Sequence, residues 1–262
     1  MADDRHKIYI GTIALEANRW NWQDGRRPTY RVSDFLSRFA EAGFDGMELW
    51  ENHAALVDEA ELTRLADSPL PTAVFNTYAP FDDDGAADRG RAVRLAHRLR
   101  ARGVKINVGK APARLATYLR SAADWAETLG PGVRLLCECH SGSVLERPQQ
   151  ATEAFNRWEA ERFQAVVHPF HTAAAELQTW FETLGPRITH AHVQLRGADG
   201  GLLRLERDPK GVRDTLRLMR DAGFAGSFTI EFTEGTGSPD ENPETMLRNA
   251  AADLRFLREN LA

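Results

Sequence analysis

The sequence predicts an α/β protein, a closed (β/α)8 TIM barrel formed by a single domain over residues 1–262. About eight short apolar segments alternate with longer amphipathic ones, which is typical of a parallel sheet covered by helices. Composition does not shift along the 262 residues, and α/β barrels commonly reach this length as one domain. The rival is an open doubly wound sheet. It is disfavoured because no Gly-x-Gly-x-x-Gly motif follows the first strand.

Helix caps, glycines and prolines divide the chain into its elements. Strands are expected at residues 7–15, 46–50, 72–76, 104–108, 133–139, 163–167, 188–195 and 227–232. Helices are expected after the capping residues Ser33 and Asp58, and at about 86–102, 111–129, 149–158, 172–184, 210–221 and 243–260. A long polar and aromatic loop, residues 16–30, follows the first strand, and loops of this length are often functional. Segments 42–46 and 222–226 echo each other before strands two and eight, which supports internal repetition.

Composition and charge narrow the classes of partner. The net charge of −5 does not favour nucleic acid. No apolar run approaches the roughly 20 residues of a membrane span. The N-terminus, Met-Ala-Asp-Asp-Arg-His-Lys, lacks an apolar signal region, so we expect a cytoplasmic protein.

Residues that commonly bind metals lie at or near the ends of strands five to eight. They are Glu138, His168, His192 and Glu231. The C-terminal ends of all barrel strands face one mouth, so these four side chains should meet there. Pro169 supports this placement for its neighbour His168, because proline ends strand pairing. Two carboxylates and two imidazoles predict one divalent metal ion: Mn²⁺, Co²⁺, Zn²⁺ or Mg²⁺.

Other polar and aromatic residues near the strand ends are candidates for substrate binding. The predicted substrate-binding residues are His53, His171, His190, Arg196 and Trp20. Trp22, Trp50 and Phe75 could add to an apolar wall against which the C–H faces of a sugar pack. Lys105 has no assigned role, because strand alternation does not place it.

Three motifs together resemble the sugar phosphate isomerase/epimerase superfamily, the xylose-isomerase-like barrels, over nearly the whole chain. Gly46-Met47-Glu48-Leu49 is similar to the family's Gly-x-Glu-Leu strand, and His190-Ala191-His192 to its His-x-His motif. Thr229-Ile230-Glu231 resembles its closing Glu strand. The resemblance implies that Glu138 and Glu231 bind the metal and act as acid/base groups. It also implies that His171 matches a family His that lies three residues after a metal-binding Asp.

The chain departs from this family pattern at two places. His168 stands where the family usually has Asp, which lowers the negative charge of the site and favours softer ions than Mg²⁺. The family's Gly-x-Gly followed by Asp is absent after strand seven, where this chain has Leu203-Arg204-Leu205-Glu206-Arg207-Asp208.

The resemblance and the ligand set predict a metal-dependent isomerase or epimerase. Its substrate would be a small keto-sugar or related hydroxy-carbonyl compound, with Glu138 and Glu231 moving a proton through an enediolate. The partner is expected to be an unphosphorylated sugar or polyol, and the barrel is a possible homo-oligomer.

Three alternatives stay open. A metal-dependent dehydratase or lyase acting on a cyclic polyol ketone shares the same first step. A phosphodiester nuclease would need further His and Asp ligands, and strand three ends instead in Asn76-Thr77-Tyr78. A non-catalytic or partner-dependent barrel would bind a ligand with a degraded metal site.

Overall fold

Eight parallel strands close into a barrel in the computed structural model, which describes residues 6–261. Neighbouring strands pair in chain order, and the first strand closes the barrel by pairing with the last. The barrel strands are β1 Ile8–Gly11, β2 Gly46–Trp50, β3 Thr72–Asn76, β4 Gly103–Ile106, β5 Arg134–Glu138, β6 Phe163–Val167, β7 Ile188–Val193 and β10 Ser227–Ile230. The short strands β8 Leu195–Arg196 and β9 Leu202–Leu203 form an antiparallel hairpin after β7. The predicted fold class is confirmed.

Helices fill the connections between the strands and cover the barrel. They are α1 Leu36–Ala42, α2 Asn52–Ala55, α3 Glu59–Ala66, α4 Ala86–Arg98, α5 Leu115–Leu129, α6 Pro148–Phe155, α7 Ala174–Leu184, α8 Pro209–Asp221 and α9 Pro243–Leu261. None of the helices within residues 6–261 has the length and apolar character to cross a membrane. We expect a cytoplasmic protein from the N-terminal residues 1–7, and most of these lie outside the described residues.

Two predicted boundaries differ from the structure for local reasons. The first strand ends at Gly11, and Thr12–Leu15 turn into a 3-10 helix instead of extending the strand. Ser33 does not cap a helix, because its hydroxyl donates to Glu61 Oε2 at 2.6 Å and α1 begins at Leu36. Asp58 does cap α3 as predicted, since its carboxylate accepts from the backbone N–H of Glu61.

The repeated segments 42–46 and 222–226 make the same helix-to-strand turn. Gly43 and Gly223 adopt φ angles of +95° and +82°, a region that favours glycine after a helix. Gly46 begins β2 and Gly226 directly precedes β10, and a Cβ there would lie 2.9 Å and 2.2 Å from neighbouring carbonyl oxygens. The sequence echo therefore reflects two shared backbone requirements.

The barrel interior is apolar in part and polar near the carboxyl ends of the strands. Val74, Leu136 and Val166, with Tyr9 packed against them, form a cluster separate from the main core. These residues come from β3, β5, β6 and β1, so we place the cluster on the barrel axis. The main core lies between the strands and the surrounding helices, and it leaves the strand ends free to carry polar side chains.

A buried carboxyl on α9 ties that helix to the strand end that carries Glu231. Asp253 accepts from the hydroxyl of Thr233 at 2.6 Å and from the backbone N–H of Leu205 at 2.7 Å. Burial raises the pKa of Asp253 from 3.8 to about 7, although both hydrogen bonds act to lower it. The folded protein therefore keeps a proton here that the unfolded chain releases at lower pH.

Asp253→Asn should remove a pH dependence of stability. As pH rises from about 4 to about 7, only the unfolded chain loses the Asp253 proton, so the free energy of unfolding of the natural protein falls. At 1.36 kcal/mol per pKa unit, the free energy of unfolding of the natural protein should fall by roughly 2–3 kcal/mol between about pH 5 and pH 8. Asp253→Asn should not show this fall. Urea unfolding at both pH values measures this difference, and parallel pH profiles would contradict it.

Candidate metal centre

The four predicted ligands converge at the mouth of the barrel. Glu138 ends β5, His168 follows β6, His192 lies within β7 and Glu231 follows β10. One potential ligand atom from each lies within 4.8 Å of all the others. All four residues are buried, with at most 6% of each exposed. Barrel closure thus brings together side chains that are far apart in sequence.

His192 shows most directly that the cluster fits a cation. Its Nε2 lies 3.1 Å from Glu48 Oε2, so that nitrogen carries the proton it donates to this carboxylate. Its Nδ1 is fully buried without a hydrogen-bond partner, 3.4 Å from Glu138 Oε1 and 3.3 Å from Glu231 Oε2. A lone pair facing two carboxylate oxygens needs positive charge between them, which a divalent ion supplies.

A proton on Nδ1 is the alternative source of that positive charge. Burial would lower the pKa of His192, but the carboxylates of Glu231 and Glu48 raise it well above its ordinary value. Histidine must be deprotonated at the nitrogen that binds a metal. A metal and a proton therefore compete for Nδ1.

Glu138 is fixed by groups on three sides. Its Oε1 accepts from His168 Nε2 at 3.0 Å, and its Oε2 contacts Lys105 Nζ at 2.5 Å and Asn107 Nδ2 at 2.8 Å. Burial would raise the pKa of Glu138, but the Lys105 ammonium and the rings of His168 and His192 hold it well below its ordinary value. Burial would likewise lower the pKa of Lys105, and Glu138 raises it. Both groups are therefore charged.

Gln194 connects the other two ligands. Its amide lies 2.8 Å from His168 Nδ1 and donates to Glu231 Oε2 at 3.1 Å. Because the nearby Gln194 atom is the amide nitrogen, which is a donor, His168 Nδ1 accepts from it, while His168 Nε2 donates to Glu138 Oε1. Burial would raise the pKa of Glu231, but His192 lowers it. Glu231 is therefore an ionised carboxylate.

Sequence reasoning gave no site role to four residues that touch the ligands. They are Glu48, Lys105, Asn107 and Gln194. Glu48 lies inside the Gly-x-Glu-Leu motif and Gln194 lies two residues after the His-x-His motif, so a polar residue in or next to a buried strand was the available signal. Lys105 and Asn107 are two residues apart, and that spacing puts them on one face of β4 and its extension.

Glu48, His190 and His192 form a second buried group of potential ligands. Both ring nitrogens of His190 have partners, with Nδ1 2.8 Å from Ser227 Oγ and Nε2 2.9 Å from Thr229 Oγ1. Its ring also stacks on Tyr9, and burial lowers its pKa. Contact between His190 and a substrate remains a prediction. Its buried ring, with both nitrogens already hydrogen-bonded, does not favour such a contact.

His53 lies outside the cluster and anchors the long loop. Its Nδ1 is 2.9 Å from Thr12 Oγ1 and its Nε2 is 3.0 Å from Glu16 Oε2. Glu16 also accepts from the backbone and hydroxyl of Thr29, so it holds both ends of the loop. Both His53 nitrogens have hydrogen-bond partners within the protein. Contact between His53 and a substrate remains a prediction, which these hydrogen bonds do not favour.

His171 lies next to the cluster, beside an open cavity. Its ring is centred 5.1 Å from that of His168, and burial with the nearby His168 and Arg196 lowers its pKa to about 4. A cavity of about 660 Å³ opens along His168, His171, His140 and Trp180, which is within the range of small-molecule sites. Arg196 is exposed on the hairpin and donates to Gln194 Oε1 at 3.2 Å.

Exposed aromatic side chains lie on the long loop and just after β3. Trp20 and Trp22 on the long loop are 52% and 70% exposed, and Tyr78 is 37% exposed. The guanidinium of Arg26 lies 4.3 Å from the centre of the Trp22 ring and 4.7 Å from that of Tyr78. Such stacking orders the loop and leaves Trp20, which packs on Phe232, with an open face.

Solved structures resemble this barrel over nearly its whole length. The probable 3-DHS dehydratase AsbF of Bacillus anthracis gives a TM-score of 0.71 at 16% identity, covering 97% of this chain and 99% of that one. D-psicose 3-epimerase of Clostridium cellulolyticum H10 gives 0.70 at 14% identity, again covering 97% and 99%. A xylose isomerase-like TIM barrel protein of Mycobacterium smegmatis, in complex with magnesium, gives 0.67 at 17% identity and covers all of both chains. At these identities the likeness is one of fold.

The family comparison rests on sequence. No curated relative matches the chain significantly. The family described as "Xylose isomerase-like TIM barrel" matches residues 36–260, which include every strand from β2 to β10 and all four converging ligands. The chain belongs to the xylose isomerase-like TIM-barrel family.

Proposed function

We propose that the protein is a metal-dependent isomerase or epimerase acting on a small keto-sugar or related hydroxy-carbonyl compound. The observation that carries the proposal is the convergence of Glu138, His168, His192 and Glu231, with the unpartnered Nδ1 of His192 facing both carboxylates. The similarity in fold to a D-psicose 3-epimerase supports it. Mn²⁺, Co²⁺, Zn²⁺ or Mg²⁺ would be held by these four residues.

The proposed reaction is transfer of a proton next to a carbonyl. A divalent ion in this site supplies positive charge that polarises a carbonyl and stabilises an enediolate. Glu231 is ionised and can take the proton from the carbon beside the carbonyl. Glu138 and Glu231 are the two carboxylates at the site, and the proton returns from one of them. His171, Arg196 and Trp20 lie where they could bind substrate oxygens and C–H faces.

A dehydratase acting on a cyclic polyol ketone is the second candidate. It shares proton abstraction by the same carboxylate, after which the enolate expels hydroxide. The similarity in fold to a probable 3-DHS dehydratase supports keeping it. The net charge of −5 supports a sugar or polyol partner rather than nucleic acid. Cytoplasmic location and self-association stay predictions from the sequence.

Metal binding gives the first test. Protein reconstituted with Mn²⁺, Co²⁺ or Zn²⁺ should hold about one equivalent, and affinity should fall at lower pH as a proton occupies His192. His192→Gln should weaken binding by at least about tenfold. His97→Gln is the matched control, because the His97 side chain is exposed on α4 and, among residues 6–261, hydrogen-bonds only the carbonyl of Leu129. Elemental analysis showing below about a tenth of an equivalent after reconstitution would contradict the site.

Glu231→Gln tests the acid/base role. The amide keeps the shape of the side chain but accepts no proton, so turnover should fall by at least about a hundredfold while the fold is retained. A panel of unphosphorylated keto-sugars and cyclic polyol ketones, followed by NMR in D₂O, reports isomer formation, water loss and C–H exchange together. Glu244→Gln, in a surface ion pair with Arg38, is the control and should keep full activity. Near-normal rates in Glu231→Gln would exclude the role.

A further inference from the structure

The two oxygens of Glu138 have different surroundings. Oε1 faces His168 and His192 within the ligand cluster. Oε2 accepts from Lys105 Nζ at 2.5 Å and from Asn107 Nδ2 at 2.8 Å. A carboxylate oxygen has two lone pairs, so both lone pairs of Oε2 are occupied. Only Oε1 is left to bind a metal, and neither oxygen is left to take a proton from a substrate.

The barrel fixes Lys105 in this position. It is fully buried on β4, and in the ladder it pairs with Leu136, two residues before Glu138 on β5. Its ammonium also donates to Asn107 Oδ1 at 2.9 Å and lies 4.8 Å from the centre of the Tyr78 ring. Lys105, Asn107 and Glu138 therefore form a closed triangle of hydrogen bonds. Charge attraction in this buried setting makes the triangle persistent.

Glu231 has the opposite arrangement. Its Oε2 accepts from Gln194 Nε2 at 3.1 Å and faces His192 Nδ1 at 3.3 Å. Its Oε1 accepts no hydrogen bond from the part of the chain that the structure describes. No ammonium or guanidinium within residues 6–261 forms an ion pair with Glu231. Glu231 can bind the metal through one oxygen and still offer the other to a proton.

We propose that Lys105 is a positioning residue that, with Asn107, commits Glu138 to metal binding and leaves Glu231 as the carboxylate that transfers the proton. The substrate then reacts on one face. This inference rests on the proposed function and narrows it, favouring isomerisation or dehydration over epimerisation. A site of this kind suits chemistry that keeps the proton on one side: isomerisation between neighbouring carbons, or loss of water. Inversion at a carbon needs a second acid/base group on the opposite face.

The step balances within the site. The C–H bond beside the carbonyl breaks, its electron pair forms a C=C bond, and the carbonyl pair moves onto oxygen. The proton goes to Glu231 Oε1. In isomerisation Glu231 returns it to the neighbouring carbon on the same face, while the hydroxyl proton passes between the two oxygens. In dehydration the pair on oxygen re-forms the carbonyl, the C=C pair moves to form a double bond to the next carbon, and the C–OH bond on that carbon breaks. The departing hydroxide takes the proton from Glu231 and leaves as water.

Solvent exchange into dihydroxyacetone tests the one-face claim. This small hydroxy-ketone has two carbon-bound hydrogens at each end, one per face, and the ends are equivalent. Incubated in D₂O with the Mn²⁺-loaded protein, it should reach a plateau of two deuterons per molecule by mass spectrometry. Entry of all four overturns the inference while leaving the proposed function intact. No exchange above the metal-free protein counts against the proposed function itself, and the inference falls with it.

Lys105→Met tests the positioning role in the same exchange assay. Removing the ammonium leaves one lone pair of Glu138 Oε2 open to a proton, so exchange into dihydroxyacetone should proceed beyond two deuterons toward four. Lys105→Arg keeps the charge and should stop at two deuterons, as the natural protein does. Thermal unfolding checks that both variants fold, and calorimetry checks that both bind Mn²⁺. If Lys105→Met folds, binds Mn²⁺ and still stops at two deuterons, the positioning role is overturned. If the natural protein binds no Mn²⁺, the proposed metal function fails instead.

Discussion

The imidazole of His192 contacts three buried carboxylates, and the rest of the site depends on how their charge is balanced. Its Nε2 faces Glu48, and its Nδ1 faces both Glu138 and Glu231. Buried carboxylates at this spacing repel each other strongly unless positive charge lies among them. Lys105 balances one of them directly. The negative charge that Lys105 does not balance favours a positive charge at His192 Nδ1, either a proton or a metal ion.

A histidine at position 168 is consistent with this balance of charge. A carboxylate there would be the fourth, adding negative charge to a site that already holds Glu48, Glu138 and Glu231. The imidazole of His168 instead accepts from Gln194 and donates to Glu138, so it orders both neighbours. With Lys105 against Glu138, the cluster attracts a dication less strongly than an all-carboxylate site would. The same features direct proton transfer toward Glu231, whose second oxygen is free of hydrogen bonds from the described residues.

The fold and the ligand positions could be predicted from the sequence because both follow from strand order. Once eight parallel strands close, residues at their C-terminal ends must meet, so Glu138, His168, His192 and Glu231 needed no side-chain geometry. Lys105 could not be placed in this way. Both faces of a parallel barrel strand are buried, so the sequence pattern does not separate inward-pointing from outward-pointing residues. Val104 and Ile106, on either side of Lys105, are both apolar and buried. Only the pairing register shows that Lys105 points inward.

The metal itself can be located directly. Anomalous diffraction from a crystal of the Mn²⁺-loaded protein would show where the ion lies relative to these side chains. The account predicts one peak about 2.2 Å from His192 Nδ1, His168 Nε2, Glu138 Oε1 and a Glu231 oxygen, with Lys105 still bound to Glu138 Oε2. A peak elsewhere, or His192 bound to both carboxylates with no ion between them, would contradict it.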